Sequence, residues 1–234
     1  MSHRDNPHSL VLALDYHVGD IDRTWSLIRD DHTPLLELGA RHAVLYTSVS
    51  EPDRVLVTIG LRHRLSVKEL LRSPAVFEWF DRSGVNDLPA IFVGEVIEKI
   101  NLAQSGLEQP GSRCGSSFGS PSSSLAEQPG PEVIVGVVST VADPADLMAK
   151  VHRGLDRFAD AGVRKVWVYQ AVDDGNEVMT LLEIDNAASA QRWIDHPDTA
   201  AEWMTAVGAG GYPGPFVGKL AAAIDLMAPT SDGR

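Results

Sequence analysis

The chain alternates short apolar runs with amphipathic segments, and the same order of elements occurs twice. The runs 9–18 and 132–141 are rich in Val, Leu and Ile, which is typical of buried β-strands. Each run is followed by an aspartate, Asp20 or Asp143, placed to cap a helix. A hairpin, a second helix and a last strand complete each copy. The pattern therefore predicts two units with the element order βαββαβ.

A constant shift of 123 positions aligns the two copies, taking Asp20 to Asp143. One inserted residue later, LPAIFVG (88–94) aligns with YPGPFVG (212–218). Such regular spacing is the signature of an internal duplication. The shift of 123 also pairs Gly39 with Gly162, Arg41 with Arg164, Tyr46 with Tyr169, Val55 with Val178, and Pro74 with Pro197.

Local signals place the helix ends in both copies. Gly39 and Gly162 are predicted to end the first helices in a left-handed conformation. Ser66 and Glu69 have the spacing of a capping box at the start of the second helix. Pro74 is predicted to break that helix into two pieces, because proline removes a backbone donor.

A Gly, Ser, Pro and Gln-rich stretch separates the copies. Residues 103–131 contain too little apolar surface to offset the entropy of ordering them, so a flexible linker is predicted there. Cys114, the single cysteine, lies in this stretch and is interpreted as an incidental thiol. The predicted domains are a first ferredoxin-like repeat at 9–102 and a second at 132–226.

Both faces of the first strand in the second copy are apolar. Val133, Val135 and Val137 point to one side of the strand, and Ile134 and Val138 point to the other. A strand that is apolar on both sides needs cover on both sides, and the helices cover only one. The fold class predicted is therefore α+β, with two ferredoxin-like repeats packing sheet to sheet as a pseudo-dimeric α/β barrel.

The element order, the glycine after the first helix, and the breaks at Ser73-Pro74 and His196-Pro197 resemble the dimeric α+β barrel superfamily. That superfamily includes antibiotic-biosynthesis-monooxygenase-like, EthD-like and stress-responsive barrel proteins. The resemblance covers both halves, about residues 9–102 and 132–226. It implies a barrel with a ligand pocket, here formed by a fused tandem repeat that is a monomeric pseudo-dimer or a homodimer.

Charge and composition narrow the classes of partner. The formal net charge is −12, whereas nucleic-acid binding needs a basic surface. The same charge disfavours anionic membranes, and no apolar run is long enough for a membrane span. The polar N-terminus lacks the pattern of a secretory signal. A cytoplasmic protein with a small organic ligand, and with neither nucleic acid nor membrane as partner, is predicted.

The pleat of the strands collects polar side chains on one face of the first sheet. Asp15 and His17 lie on the strand row opposite Leu10, Leu12 and Leu14. That row is assigned to the barrel interior, because an unpaired carboxylate beneath the helices is costly. The same argument brings further residues to one predicted cavity: His42, Tyr46 and Arg62 from the first copy, and Trp167 and Tyr169 from the second.

Two kinds of function remain open for this cavity. In a cofactor-independent monooxygenase- or isomerase-like enzyme, which the resemblance implies, His17 is the base and Asp15 orients it. Tyr46 or Arg62 then stabilises negative charge, and His42, Arg62, Trp167 and Tyr169 contact the substrate. In a non-catalytic ligand-binding or stress-response module, Asp15 and His17 are a strand-end pair bonded to loop backbone or water, and the other side chains line the barrel.

No cofactor and no metal site is predicted from the sequence. The single cysteine excludes a cysteine-based zinc site, and the histidines lack the spacing of a local metal motif. The glycine-rich GAGGYPG (208–214) precedes a strand rather than a helix, so it is interpreted as a turn and not as a phosphate loop. Haem is kept as an alternative, with His152 and His196 as the candidate axial ligands.

Overall fold

The two copies have the same strand order and similar helices. The structure, a computed structural model, describes residues 10–62, 66–85, 87–102, 133–195 and 214–226. The first copy contains β1 (Leu10–His17), α1 (Ile21–Asp30), α2 (Thr33–Glu37), β2 (Ala40–Ser48), β3 (Arg54–Leu61), α3 (Val67–Leu70), α4 (Pro74–Ser83) and β4 (Ala90–Asn101). The second contains β5 (Val133–Thr140), α5 (Pro144–Arg153), α6 (Leu155–Asp160), β6 (Val163–Ala171), β7 (Glu177–Ile184), α7 (Ala187–Asp195) and β8 (Phe216–Asp225).

The eight strands form one closed antiparallel barrel in the order β1-β3-β2-β8-β5-β7-β6-β4. Each copy contributes four adjacent strands, and two seams join the copies. In one seam β2 pairs with β8, and in the other β4 pairs with β6. The predicted barrel is confirmed, and its two sheets are joined through hydrogen-bonded edges as well as across the interior. One chain closes the whole barrel, which leaves no unpaired sheet edge.

Side chains outside and inside the barrel form separate apolar clusters. Leu10, Leu12 and Leu14 of β1 pack outward with the helices of the first copy, and an equivalent cluster lies beneath the helices of the second. The predicted division of the strand rows into helix-facing and interior sides is therefore confirmed. The interior cluster, drawn from both copies, consists of Val11, Ala13, Tyr46, Leu56, Phe92, Ile134, Met179, Leu181 and Phe216.

The predicted helix signals are present with one difference. The Asp20 side chain accepts a hydrogen bond from the backbone of Arg23 at 3.0 Å, and the capping box of Ser66 and Glu69 is formed. The first helix of each copy consists of two short helices rather than one. The second of these ends at a glycine with positive φ, 80° at Gly39 and 86° at Gly162. Pro197 lies outside the described residues, as do Cys114, His196 and the predicted linker.

Proline divides the second helix of the first copy as predicted, because α3 ends before Pro74 and α4 begins at it.

None of the helices that the structure describes combines the length and the apolar character that crossing a membrane requires.

The repeated Phe-Val-Gly sequence has a structural reason. Phe92 and Phe216 point into the barrel, and each ring lies over the glycine two residues further along its strand. A Cβ atom on Gly94 would lie 2.7 Å from Cζ of Phe92 and 2.8 Å from the backbone oxygen of Gln170. Because Gln170 belongs to the second copy, this close approach occurs at the seam between β4 and β6.

Replacing Gly94 by alanine is expected to lower the free energy of unfolding by about 1–3 kcal/mol, since the Phe92 ring can move away but the Gln170 backbone cannot move without opening the seam. The measurement is the urea midpoint of unfolding at unchanged slope. Gly175→Ala is the matched control, because Gly175 is exposed and a Cβ there would have ordinary contacts. Equal midpoints for Gly94→Ala and the wild type would show that the seam tolerates a side chain.

Candidate functional site

A cavity of about 640 Å³ lies at one end of the barrel interior. This end, called here the upper end, is where β1 and β5 finish and where β3, β4, β7 and β8 begin. The cavity has the size of sites that hold small organic ligands. Its mouth includes Leu88, which is 86% exposed. The wall consists of Ala13, Asp15, Leu56, Asp87, Leu88, Pro89, Ala90, Ile91, Phe92, Gly136, Val137, Val138, Glu177, Met179, Gly214 and Phe216.

The apolar part of the wall is nearly symmetric between the copies. Ala13 is equivalent to Gly136, Leu56 to Met179, and Phe92 to Phe216. Both copies therefore provide a small residue, a flexible apolar side chain and a phenyl ring. An apolar enclosure built from both halves can hold an apolar ligand by excluding water from it.

The polar part of the wall differs between the copies. Asp15 of β1 corresponds to Val138 of β5, and Arg54 at the start of β3 corresponds to Glu177 at the start of β7. The first copy thus has an acid and a base where the second has an apolar residue and an acid. The duplication has diverged at the positions that carry charge.

Arg54 forms a buried ion pair with Asp15. Its Nε and Nη2 atoms donate to the two carboxylate oxygens at 2.9 and 2.8 Å, and the two side chains are 9% and 11% exposed. The hydrogen bonds from Arg54 to Asp15, followed by the charge of Asp15 and by Glu51, raise the pKa of Arg54. This pairing offsets the cost of placing a carboxylate in a largely apolar wall.

Arg54 also connects the two copies. Its Nη2 atom donates to the backbone oxygen of Gly214 at 2.8 Å, and its guanidinium lies 5.5 Å from the centre of the Phe216 ring. Sequence reasoning missed this residue. The signal was available, because Arg54 is two positions before Leu56 and therefore continues the interior row of β3.

His17 lies at the rim of the cavity, one pleat beyond Asp15. Its Nε2 atom is 3.5 Å from a carboxylate oxygen of Glu51, and its Nδ1 atom is 3.4 Å from a carboxylate oxygen of Asp87. The sequence predicted that Asp15 would orient His17. The structure instead pairs Asp15 with Arg54, because β1 and β3 are adjacent and Arg54 is the cation on the interior row.

The carboxylates around the mouth experience opposite environments. A hydrogen bond from Arg54 lowers the pKa of Glu51, and His17 adds to this effect. Burial raises the pKa of Glu177, and the charge of Asp174 raises it further. Among the described residues, the Glu177 side chain has no ion-pair partner. The second copy therefore contributes an uncompensated, partly buried carboxylate to the cavity wall.

Tyr46 and Tyr169 occupy equivalent interior positions next to the cavity wall. Each is paired with a wall residue on the neighbouring strand, Tyr46 with Leu56 and Tyr169 with Met179. Burial raises the pKa of Tyr169 to about 12. Burial also raises the pKa of Tyr46, and the charges of Tyr169 and Glu183 add to the shift. Both phenols are therefore neutral at physiological pH, and each can donate a hydrogen bond through its hydroxyl group.

The remaining predicted site residues lie away from the cavity wall. The ring of His42 covers Gly60 towards the lower end of the barrel, where the equivalent residues Lys165 and Glu183 form an ion pair at 2.8 Å. Trp167 lies beside this pair, with the Nζ atom of Lys165 5.8 Å from its ring centre. Arg62 is exposed where β3 has ended.

The structure thus separates residues that the sequence analysis placed around one cavity. Of the seven predicted site residues, Asp15 is in the wall and His17 is at the rim, whereas His42 and Arg62 belong to the opposite end. The reason is strand direction. β1 ends at the upper end, but β2 begins and β3 ends at the lower end.

The described wall of the cavity contains neither of the two candidate axial ligands of a haem, and His196 lies outside the described residues. The described residues that line it include no histidine. His152, a candidate axial ligand, lies on α5 outside the barrel with Nε2 3.4 Å from an oxygen of Glu98. The described part of the chain also contains no group of three or more histidine and carboxylate side chains arranged to hold a metal ion.

Comparison with known proteins supports the fold through structure rather than sequence. No protein-family model and no curated protein sequence matches the chain. An anthrone oxidase-like protein aligns over 94% of both chains with 12% identity and a TM-score of 0.57. A proposed monooxygenase from Fusobacterium nucleatum aligns over 94% of this chain and 96% of the other, with 8% identity and a TM-score of 0.51.

A ferredoxin-fold protein from Listeria monocytogenes, related to antibiotic biosynthesis monooxygenases, aligns over 94% of this chain and 99% of the other with 9% identity and a TM-score of 0.49. At these identities the likeness shows the fold alone. The two alignments with TM-scores above 0.5 confirm the fold predicted from the sequence.

Opposite pH dependences are expected for two neutralising substitutions. The pKa of Glu51 lies below its ordinary value of 4.5, so the charged carboxylate stabilises the folded state at pH values above 4.5. This stabilisation is lost as the pH falls through the lowered pKa. Glu51→Gln should therefore destabilise the protein near neutral pH and have no effect in acid. The pKa of Glu177 lies above its ordinary value of 4.5, so its carboxylate is harder to ionise in the folded state than in the unfolded chain. The resulting destabilisation begins as the pH rises above 4.5 and is complete above the raised pKa.

Glu177→Gln should accordingly stabilise the protein near neutral pH, with the gain disappearing below pH 4.5. Urea midpoints measured across this range for the two variants and the wild type test both signs. Destabilisation by Glu177→Gln near neutral pH would show that its carboxylate has a favourable partner.

Proposed function

We propose that the protein binds a small, largely apolar organic molecule in the cavity at the upper end of the barrel. The observation that carries this proposal is an enclosure of about 640 Å³ whose apolar wall is built from both copies. Closely packed interiors contain few voids larger than a water molecule, so a space of this size is not a packing defect. Phe92 and Phe216 offer ring surfaces for an apolar ligand, and the mouth at Leu88 gives access from solvent.

The polar groups of the wall are placed to orient such a ligand. Asp15 is held in one geometry by Arg54, and Asp87 and Glu177 present carboxylates towards the same space. Apolar walls with a few polar groups are typical of small-molecule sites. The fold shared with an anthrone oxidase-like protein and a proposed monooxygenase is consistent with this use of the barrel.

Filling the cavity is expected to abolish binding. A Cβ on Gly136 would lie 3.5 Å from Leu56 and 3.6 Å from Leu181, so Gly136→Ala fits, whereas the side chain of Gly136→Leu extends into the cavity. The uncharged fluorescent probe N-phenyl-1-naphthylamine should bind the wild type and Gly136→Ala. Gly136→Leu should weaken its binding at least about tenfold, which corresponds to about 1.4 kcal/mol.

Gly175→Leu is the matched control, since Gly175 is exposed in the hairpin between β6 and β7. Fluorescence titration of the four proteins provides the measurement. Unchanged binding by Gly136→Leu would place the probe elsewhere and contradict the proposed site.

Catalysis is the second candidate function, and the position of His17 favours it. The side chain is 29% exposed at the cavity rim and lies between two carboxylates. In this proposal His17 accepts a proton from an activated methylene group of the substrate. Glu51 and Asp87 stabilise the resulting imidazolium. The resulting carbanion forms a C–O bond with dioxygen, which is the oxidant. The imidazolium returns its proton to the outer peroxide oxygen, and cleavage of the remaining C–H bond and the O–O bond leaves a carbonyl group and water.

In the catalytic function, Tyr46 and Tyr169 are neutral hydrogen-bond donors near the cavity wall. Contact of the substrate with His42, Arg62 or Trp167 stays a prediction.

Native mass spectrometry of freshly purified protein separates turnover from binding. If the bound molecule is oxidised, His17→Ala should retain a substrate that differs from the wild-type product by one oxygen atom and two hydrogen atoms. His152→Ala is the control, because His152 is outside the barrel and 52% exposed. The same bound mass in the wild type and His17→Ala would argue against this oxidation and leave binding as the function.

A further inference from the structure

The cavity wall has an unbalanced negative charge. Asp15, Asp87 and Glu177 line it, and the described lining contains no lysine, arginine or histidine. Arg54, which is just outside the wall, compensates Asp15, and it is shared with Glu51 at 2.9 Å. Asp87 lies beside His17, with a carboxylate oxygen 3.4 Å from the Nδ1 atom of that residue. Glu177 is therefore the carboxylate of the wall that has no ion-pair partner among the described residues.

Glu177 also differs in charge from its counterpart in the first copy. Its equivalent in the first copy is Arg54, so the second copy has reversed the charge at this position of the barrel. No described residue forms an ion pair with it, and Asp174 on the same hairpin is a second negative charge nearby. A carboxylate held in a partly buried, negative setting without a partner is expected to attract a cation into the space beside it.

The shape of the cavity restricts what kind of cation can occupy it. No metal-binding group of side chains is present among the described residues, so a bare metal ion lacks a ligand set. Most of the wall is apolar, with the rings of Phe92 and Phe216 among its residues. An occupant with a cationic end and an apolar body satisfies both parts of the wall at once.

We propose that the ligand of this cavity is an amine, with its ammonium group bound by Glu177 and its apolar body against the apolar wall that includes Phe92 and Phe216. This inference rests on the proposed binding function and adds the chemical class of the ligand. It also excludes anionic ligands, because a carboxylate ligand in this wall would meet like charges at close range.

Three probes with one ring system and different charges test this inference. They are 1-naphthylmethylamine, 1-naphthylmethanol and 1-naphthoate, measured by isothermal titration calorimetry near neutral pH and at low ionic strength. The amine should bind about tenfold more tightly than the alcohol, and the carboxylate should bind most weakly. The preference for the amine should decrease as salt is added, because salt screens partly exposed charges.

A pair of isosteric variants assigns the preference to the cavity. Glu177→Gln should bring the affinity for the amine close to that for the alcohol. Glu78→Gln, the same change on the exposed surface of α4, should leave the preference intact. Retention of the full preference in Glu177→Gln would overturn the inference.

Failure of the inference and failure of the proposed function give different results. If the alcohol binds and the amine binds no more tightly, the cavity is a ligand site but not an amine site. If neither these probes nor N-phenyl-1-naphthylamine binds the wild type, both the binding function and the amine inference are wrong. If N-phenyl-1-naphthylamine alone binds, the amine inference fails and the binding function stands.

Discussion

Closure of the barrel is the constraint on which the rest of the structure depends. Because β2 pairs with β8 and β4 pairs with β6, every strand has two neighbours and turns one face to the barrel interior. Side chains on the inner face must then fill the interior or leave a cavity. Ile134, Leu181 and their neighbours fill part of the interior, whereas small residues at equivalent positions, Ala13 and Gly136, line the cavity. The small size of these two residues contributes space to the cavity.

Divergence between the copies has left one ion pair towards each end of the barrel, and the pair at the lower end is only partly buried. At the upper end the pair is Asp15 and Arg54 of the first copy, and towards the lower end it is Lys165 and Glu183 of the second. The equivalent positions hold Val138 and Glu177 in one case, and His42 and Gly60 in the other. Two of these sites thus hold a carboxylate beside a cation, which lowers the cost of placing the charge in the barrel. Glu177 is a carboxylate without such a partner among the described residues.

Periodicity along the strands predicted which side chains face the interior, and the structure confirms this for the rows of β1, β2 and β3. Periodicity did not give the position of each side chain along the barrel axis. For this reason His42 and Arg62 were predicted to lie at the same cavity as Asp15. Strand direction supplies that position, and it could have been deduced from the predicted element order. The partners of Arg54 and the approach of Asp87 to His17 depend on contacts between distant segments, and local sequence patterns carry no information about those contacts.

The position of Glu177 is better explained by binding than by folding. Its raised pKa means that the charged form opposes the folded state near neutral pH, so its presence does not serve stability. A glutamine or an apolar residue there would remove this cost while keeping the strand pairing with Thr140. Groups that oppose folding and line a cavity are characteristic of functional sites, where activity and stability conflict. A cation bound beside Glu177 would relieve the same unfavourable charge, so ligand binding and stability are expected to be coupled through this one carboxylate.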